Sequence, residues 1–558
     1  MTNRTRILWA SLWTVLLSLA LPALAEQSSH PISDSTAILF TNDIHCYYER
    51  DIGYDGLMLY RKELEQRYSH VILVDAGDAI QGAPIGAISG GFEPIRMMNA
   101  VGYDIATLGN HEFDFGFYVL DDLQGLLNCG YICANFCTAD GESIYDPYRI
   151  LRFDDTQIAF IGATTPYTFS KTSIHTMTDD TGSPLYDFKL DRSGESLVAC
   201  LQACIDEVRD KGADFVILIG HLGNTDDPLG SARLISRLKG LDAVIDGHSH
   251  EVYNIAVPDA DGREIPLVQT GSYFDHVGVM ILDADGSIHA DLVSGIPAPE
   301  AWMEGIEAIE ITRGNRSRWV DKAMHEFLED ITEAYAPVMN RRIGESPCEL
   351  ALTAADGAAS SKSHENGMCE LVADAYRAVA GTDISIINAG SVRNGLPAGE
   401  ITFNTVLNVM PYSNDIWIAR LSGQTILDAL EFGCRDMPKA CAGFPQVSGL
   451  EFTVDLRLDS SVQVDEKGDF TGVCGARRVR DVFVGAEPLN PEKLYTVAAS
   501  SYLLEGGDNF KMLADHAEVI GTTLLADNLL LADYIENNLN GIIPTTYLRE
   551  NRIHEILP

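Results

Sequence analysis

The stretch YDIATLGNHEFD (103–114) decides how the rest of the chain is read. Its first half is short, apolar and β-branched, as a buried strand should be. Its second half breaks into Gly109, Asn110, His111, Glu112 and Asp114. The same design recurs along the chain. TAILFTND (36–43) runs on to His45, and SHVILVDAGD (69–78) ends in Gly77 and Asp78. DFVILIGH (214–221) ends in Gly220 and His221, and DAVIDGH (242–248) ends in Gly247 and His248, with His250 two residues on. QIAFIGATT (157–165) is a further strand-like run, and residues 55–67 and 194–211 carry apolar side chains at helical spacing. Residues 36–300 therefore read as layered α/β structure. In such sheets ligands collect beyond the carboxyl ends of strands, so five polar clusters following five strands can meet at one point.

Each cluster alone reads as a turn, since Gly-His and Gly-Asp pairs are common turn dipeptides. Jointly they hold five of the 14 histidines of the chain. Imidazole, carboxylate and amide oxygen together suit a borderline divalent ion such as zinc or manganese, and seven such groups exceed the needs of one tetrahedral ion. Two ions about 4 Å apart, sharing a bridging carboxylate, would use them; such pairs polarise phosphoryl groups and generate a nucleophilic hydroxide. An extended Asp43-Ile44-His45 would place both polar side chains on one side. The glycines before Asp78, Asn110, His221 and His248 would let the backbone turn and approach the ions. His111 and Asp114, three residues apart, can meet across one turn, with the carboxylate orienting the imidazole.

The chain has 558 residues, 39 basic and 81 acidic side chains, a formal net charge of -42, and 46% hydrophobic residues. That length predicts more than one core. The acidic excess argues against a protein that grips polymeric nucleic acid or an anionic membrane, yet leaves a small anionic substrate open, because ions in a cleft override the global field. Residues 1–25 read as a signal peptide, with Arg4 and Arg6 before the uncharged stretch 7–21 and then Ala23, Leu24 and Ala25. Cleavage before Glu26 would leave no stable membrane anchor and a periplasmic or secreted product. Eleven cysteines leave at least one unpaired. Cys434 with Cys441, pairs among Cys129, Cys133 and Cys137, or Cys200 with Cys204 could form local disulfides, and buried thiols are the alternative.

The clusters Asp43/His45, Gly77/Asp78, Gly109 to Glu112, Gly220/His221 and Gly247/His248/His250, in that order, resemble those of the calcineurin-like metallophosphoesterases. More narrowly, the chain resembles the bacterial 5'-nucleotidases and UDP-sugar hydrolases, from about residue 36 to 550. The resemblance implies a four-layer α/β/β/α metallophosphoesterase sandwich (34–302) joined by a connector helix (303–336) to a second α/β (α+β) nucleotide-recognition domain (337–555). Trp319, Val320, Met324, Phe327, Leu328 and Ile331 recur at helical intervals, and Pro337 ends or kinks the segment, so 303–336 reads from its residues as a connector helix between two domains, with a helix packed wholly on the first domain as the competing view. It also implies one ion on Asp43, His45, Asp78 and His250 and another on Asp78, Asn110, His221 and His248, with Asp78 bridging. His111 and Asp114 would be catalytic. Some exported members have Gln where this chain has His250.

In the second half, the same resemblance assigns Asn388 and Arg393 to nucleotide contact and Lys362 to a place often held by Arg. Phe444 and Tyr502 become the aromatic pair that sandwiches a nucleobase, and Asp508 the acceptor of ribose hydroxyls. Without it, Phe444 and Tyr502 read as core aromatics. The expected activity is hydrolysis of nucleoside 5'-monophosphates, with UDP-sugars or other nucleotide pyrophosphates as further substrates. Alternatives on this scaffold are 2',3'-cyclic nucleotide phosphodiesterase with 3'-nucleotidase activity, sulfur-ester hydrolysis, or secreted nucleotide binding without turnover.

Overall fold

A computed structural model of the chain describes residues 33–168, 177, 184–191, 193–225, 227–300, 303, 305–313, 316–353, 360–548 and 552–558. The expected signal segment, 1–25, lies outside the described residues. No helix among those described is long and apolar enough to cross a membrane.

The apolar runs form the centres of two six-stranded sheets. In the first, strands Ser33–Thr41, Tyr68–Asp75, Ile105–Thr107 and Tyr131–Ile132 lie parallel in that order, and the hairpin Val277–Leu282 with Ile288–Val293 adds an antiparallel edge beside Ser33–Thr41. In the second, Thr156–Thr164, Phe215–His221, Ala243–Ile245 and Glu264–Thr270 are parallel neighbours, flanked by antiparallel Tyr148–Phe153 and Val252–Pro258. Strands buried on both faces carry continuous apolar sequence because both must be filled. Ile38, Phe40, Ile72 and Val74 of one sheet pack against Phe160, Ile217, Ile219 and Val268 of the other. The outer face of the first sheet is covered by helices Gly53–Glu65, Phe92–Val101 and Phe117–Leu126, and that of the second by Glu195–Asp210. This is the four-layer α/β/β/α sandwich, and its parallel strands all end on the same side.

Residues 303–336 are not one helix. Ala308–Arg313 and Arg316–Asp321 pair as an antiparallel hairpin, and the helix spans Lys322–Met339, with Pro337 in its last turn. The hairpin follows from period-two alternation, in which Ile309 and Ile311 are separated by Glu310 and followed by Thr312. Helix begins only where Asp321 accepts a hydrogen bond from the Met324 amide, a side-chain cap that fixes the boundary. Its buried face, Met324, Leu328 and Ile331, joins the core of the first domain.

The second domain holds a five-stranded mixed sheet in the order Pro445–Ser448, Ile384–Asn388, Leu494–Ser500, Asp415–Ser422, Glu518–Ala526. Helix Gly367–Ala380 packs on one face and Gly423–Gly433 on the other. Asn366 caps the former through bonds from the Met368 and Cys369 amides. A four-stranded sheet, which includes Leu450–Asp455 and Ile553–Ile556, closes the domain. The two domains touch beside the carboxyl ends of the first sheet, where Gln81 Nε2 donates to the Pro411 carbonyl at 3.2 Å. All eleven cysteines are thiols, so none of the candidate disulfides is formed.

Candidate active site

The strand ends converge as two facing groups of potential ligands, Asp43 with His45 and His250, and Asp78 with His221 and His248; within each, the ligand atoms lie within 4.8 Å of one another. Asp78 reaches both groups, its Oδ2 standing 3.0 Å from His221 Nε2 and 3.7 Å from His45 Nε2. Asp43 Oδ1 lies 3.3 Å from His250 Nε2.

The backbone here is not extended as the Asp43-Ile44-His45 spacing suggested. The first strand stops at Thr41, and Asp43, His45, Asp78, His248 and His250 all have positive φ, between 50° and 82°. Non-glycine residues pay for that conformation in steric energy and keep it only where their surroundings enforce it. The enforcement is visible in the hydrogen bonds. Glu112 accepts from the amides of Asp78 at 2.9 Å, Ala79 at 2.8 Å and Gly109 at 2.6 Å, tying two ligand loops together. Asn42 donates to Asp43 Oδ2 at 2.6 Å, and the His248 amide donates to the same oxygen at 3.0 Å. Gly77 takes φ 92°, and a Cβ on Gly247 would stand 2.7 Å from His221 Nδ1, so both positions require glycine.

The ring orientations fit bound cations. His45 Nδ1 donates to the Gln81 carbonyl at 2.9 Å and His221 Nδ1 to the Ala76 carbonyl at 2.8 Å, which leaves each Nε2 as the lone-pair nitrogen. His45 Nε2 then faces His250 Nε2 at 3.1 Å. Among the described residues, His221 Nε2 and Asn110 Oδ1 are buried without a hydrogen-bond partner, as ligand atoms awaiting an ion would be. Burial pushes His45 down to about 3, so its imidazole is neutral. At His221 the charges of Asp78 and Asp43 outweigh burial and lift it to about 10, so a proton competes with a cation for its Nε2.

Beside the ligands, His111 Nδ1 donates to Asp114 Oδ2 at 2.7 Å. Burial lowers the affinity of His111 for a proton, but Asp114 and Asp78 more than reverse this and bring it up to about 8. A cavity of about 190 Å³ opens onto Asn110, His111, Asp114 and His248 from the first domain and onto Asn388, Arg393, Tyr502 and Asp508 from the second. Asn388 Nδ2 donates to Asp508 Oδ2 at 2.9 Å, while Asn388 Oδ1 is buried and has no hydrogen-bond partner among the described residues. The Asp508 amide donates to the Tyr502 hydroxyl at 3.0 Å.

Two expected substrate residues stand elsewhere. Phe444 is fully buried in the second domain's core with Phe432, Phe452 and Phe510, so its ring offers no face to the cavity. It directly precedes strand Pro445–Ser448 and packs into the core, as the plain reading of a core aromatic had it. Lys362 lines a second, larger cavity on the His45 and His250 side. Tyr412, which the sequence gave no reason to single out, stacks on His111 with centroids 5.6 Å apart and planes 21° apart, and Arg393 lies over its ring at 5.9 Å. Only an aromatic beside Pro411, in the loop before strand Asp415–Ser422, hinted at it. Glu112 was visible as part of a polar cluster, but nothing local revealed that it clamps the loops.

Residues 36–252 match the family model for the calcineurin-like phosphoesterase, and residues 343–515 match that for the 5'-nucleotidase C-terminal domain, together more than half of the chain. The chain belongs to the two-domain 5'-nucleotidase family. It is thus a hydrolase of the metallophosphoesterase class, whose members work with two metal ions, and nucleotide hydrolysis is its activity. It is 24% identical over 575 residues to a 5'-nucleotidase of Vibrio parahaemolyticus, covering 96% of both chains. It is 26% identical over 577 residues to the trifunctional nucleotide phosphoesterase protein YfkN of Bacillus subtilis, of which it spans only 35%. The crystal structure of a 5'-nucleotidase precursor from Thermus thermophilus superposes with a TM-score of 0.73 at 23% identity, covering 94% of this chain and 100% of that one, and speaks for the fold.

Proposed function

We propose that the chain converts nucleoside 5'-monophosphates to nucleoside and phosphate, with residues 34–302 supplying the chemistry and 337–555 the specificity. One observation carries this reading: a single cavity is lined by ligand residues and the His111/Asp114 pair from one domain and by Asn388, Arg393, Tyr502 and Asp508 from the other. Asp43, His45, Asp78, Asn110, His221, His248 and His250 would hold two divalent ions, zinc or manganese. Once bound, such ions neutralise phosphoryl oxygens and acidify water.

The remaining work falls to side chains. Arg393 offers a planar fork to a phosphate oxygen. Asp508 and the open Oδ1 of Asn388 are acceptors for ribose hydroxyls, and the Tyr502 ring is an apolar face for a base. With its Nδ1 bonded to Asp114, His111 has Nε2 left to hold a proton at the ester oxygen that leaves phosphorus. Asp114 keeps that tautomer and sustains the imidazolium. Because the cavity draws on both domains, substrate binding and domain contact are coupled. Export through the 1–25 segment to a periplasmic or extracellular location belongs to the same reading.

The second cavity, on the other side of the ligands, favours UDP-sugars and other nucleotide pyrophosphates as additional substrates. The test is phosphate release by the purified protein from AMP, UMP, UDP-glucose after phosphatase coupling, and a 2',3'-cyclic nucleotide, each with and without chelator. Chelator-sensitive release from AMP and UMP is expected. Turnover of the cyclic nucleotide alone would replace the proposal with the phosphodiesterase alternative, and no turnover of any would leave nucleotide binding only.

A further inference from the structure

Strand Glu264–Thr270 belongs to the second sheet, and Ile265 and Leu267 on one of its faces are packed into the apolar core beneath helix Glu195–Asp210. Two residues further along the same face stands Gln269, which is fully buried. A buried primary amide costs free energy unless its hydrogen-bonding capacity is met. Here all of it is met. Gln269 Oε1 accepts from the Glu251 amide at 2.7 Å and the Ser249 hydroxyl at 3.1 Å, and Nε2 donates to the Gly247 carbonyl at 2.7 Å and the Tyr253 hydroxyl at 3.2 Å. Two donated and two accepted bonds are the full complement of a glutamine side chain. A backbone amide only donates and a carbonyl only accepts, so Glu251 and Gly247 fix which way the side-chain amide lies.

These partners bracket the histidines of one loop. Gly247, Ser249 and Glu251 alternate with His248 and His250, whose backbones hold positive φ, 82° and 58°. His248 belongs to one ligand group and His250 to the other. The network then continues beyond the loop. Tyr253, directly opposite Gln269 in the antiparallel pair, donates its hydroxyl to Asp246 Oδ2 at 3.1 Å. Asp246 Oδ1 accepts from the Leu222 amide at 2.9 Å, immediately after His221. One buried side chain is thereby joined to the loops of three histidine ligands.

We propose that Gln269 is a positioning residue for the metal centre, which holds the His248–His250 backbone in its left-handed conformation so that one ring is presented to each ion. This rests on the ligand set given under the proposed function. Left-handed backbone is costly for a residue with a Cβ and persists only where its surroundings enforce it. Without the side-chain amide, the loop relaxes toward ordinary dihedral angles and both rings leave their places. Because the two histidines serve different ions, the loss falls on both ions together, unlike the loss of a single ligand.

Gln269→Met keeps the length of the side chain and deletes its four hydrogen bonds. The full-length protein, stripped with chelator, is titrated with manganese against a chromophoric chelator, and its cobalt-loaded form is followed by visible absorption. The variant should bind both ions about 10–100-fold more weakly, with altered cobalt bands. Tyr253→Phe removes one bond of the network and its link to Asp246, so it should weaken binding by a smaller factor; it decides the matter where Gln269→Met does not fold. A residue that only fills space would lower the melting temperature of the metal-free protein and leave the isotherm and the cobalt bands as in the wild type. That result, or weakening confined to one ion, overturns the inference. Ions bound equally by wild type and variant remove this inference alone, whereas a wild type that takes up no divalent ion removes the proposed ligand set with it.

Discussion

Among single residues, Glu112 makes the clearest case for action at one remove. It touches no cavity, yet its carboxylate takes three amides from the loops that carry Asp78 and Asn110. Glu112→Gln would present an NH2 group to one of those amides and loosen both ligand loops. A fall in metal affinity of about 10–100-fold is expected, the usual cost of losing an outer support, read as metal content after dialysis. Asp78→Asn should do more, because the lost charge serves both ligand groups: metal content falls below two per chain and chelator-sensitive hydrolysis disappears. Tyr412 acts through His111. Removing its ring in Tyr412→Ala frees the imidazole to swing, which should lower kcat about tenfold while changing KM less; an unchanged kcat with raised KM would make Tyr412 a binding residue instead.

For elements, the boundary between hairpin and helix near residue 321 carries the connection between domains. Asp321 is buried, caps helix Lys322–Met339 at the Met324 amide, and pairs with Lys62 at 2.5 Å. Asp321→Ala removes a cap and strands Lys62, for a loss of about 1–2 kcal/mol in chemical denaturation. The helix buries Met324, Leu328 and Ile331 in the first domain and so moves with it. Any rearrangement between domains must then begin after Met339 rather than within 303–336. Hydrogen exchange along Lys322–Met339 should match the first domain's core, and early exchange there would place the hinge inside the helix.

Across the whole molecule, stability depends on carboxyls buried far from the ligands. Asp527 is fully buried and accepts hydrogen bonds from Asn414 Nδ2 at 3.2 Å and the Asn528 amide at 2.7 Å; burial lifts it to about 7. The folded chain therefore keeps this proton to about pH 7, whereas the unfolded chain releases it near pH 4. Its contribution to stability must fall as pH rises from about 4 through 7 and stay level above that. Asp527→Asn holds a neutral amide at every pH, so its stability relative to the wild type should rise by about 3 kcal/mol between pH 5 and pH 8, at roughly 1.4 kcal/mol per pH unit below the folded value. Urea midpoints at the two pH values decide it, and a constant difference would mean that Asp527 is ionised in the fold.

Several features were settled by sequence alone. The α/β layering and the position of the ligand cluster follow from strand-length apolar runs that end in Asp, Asn and His, because burial of both sheet faces leaves only the strand ends polar. The domain pair and the His111/Asp114 pairing were equally legible, the latter because three residues span one turn. Tertiary structure decided the rest. Left-handed backbone at Asp43 and His45, not strand alternation, aims those side chains, and it persists because amides 30 to 200 residues distant hold their carboxylates and loops. The fate of Phe444 depended on which side of its strand the second core lay, and the roles of Glu112 and Tyr412 on which loops meet. Local sequence encodes the period of an element and the chemistry at its ends. It does not encode the packing that brings distant side chains within one hydrogen bond of each other.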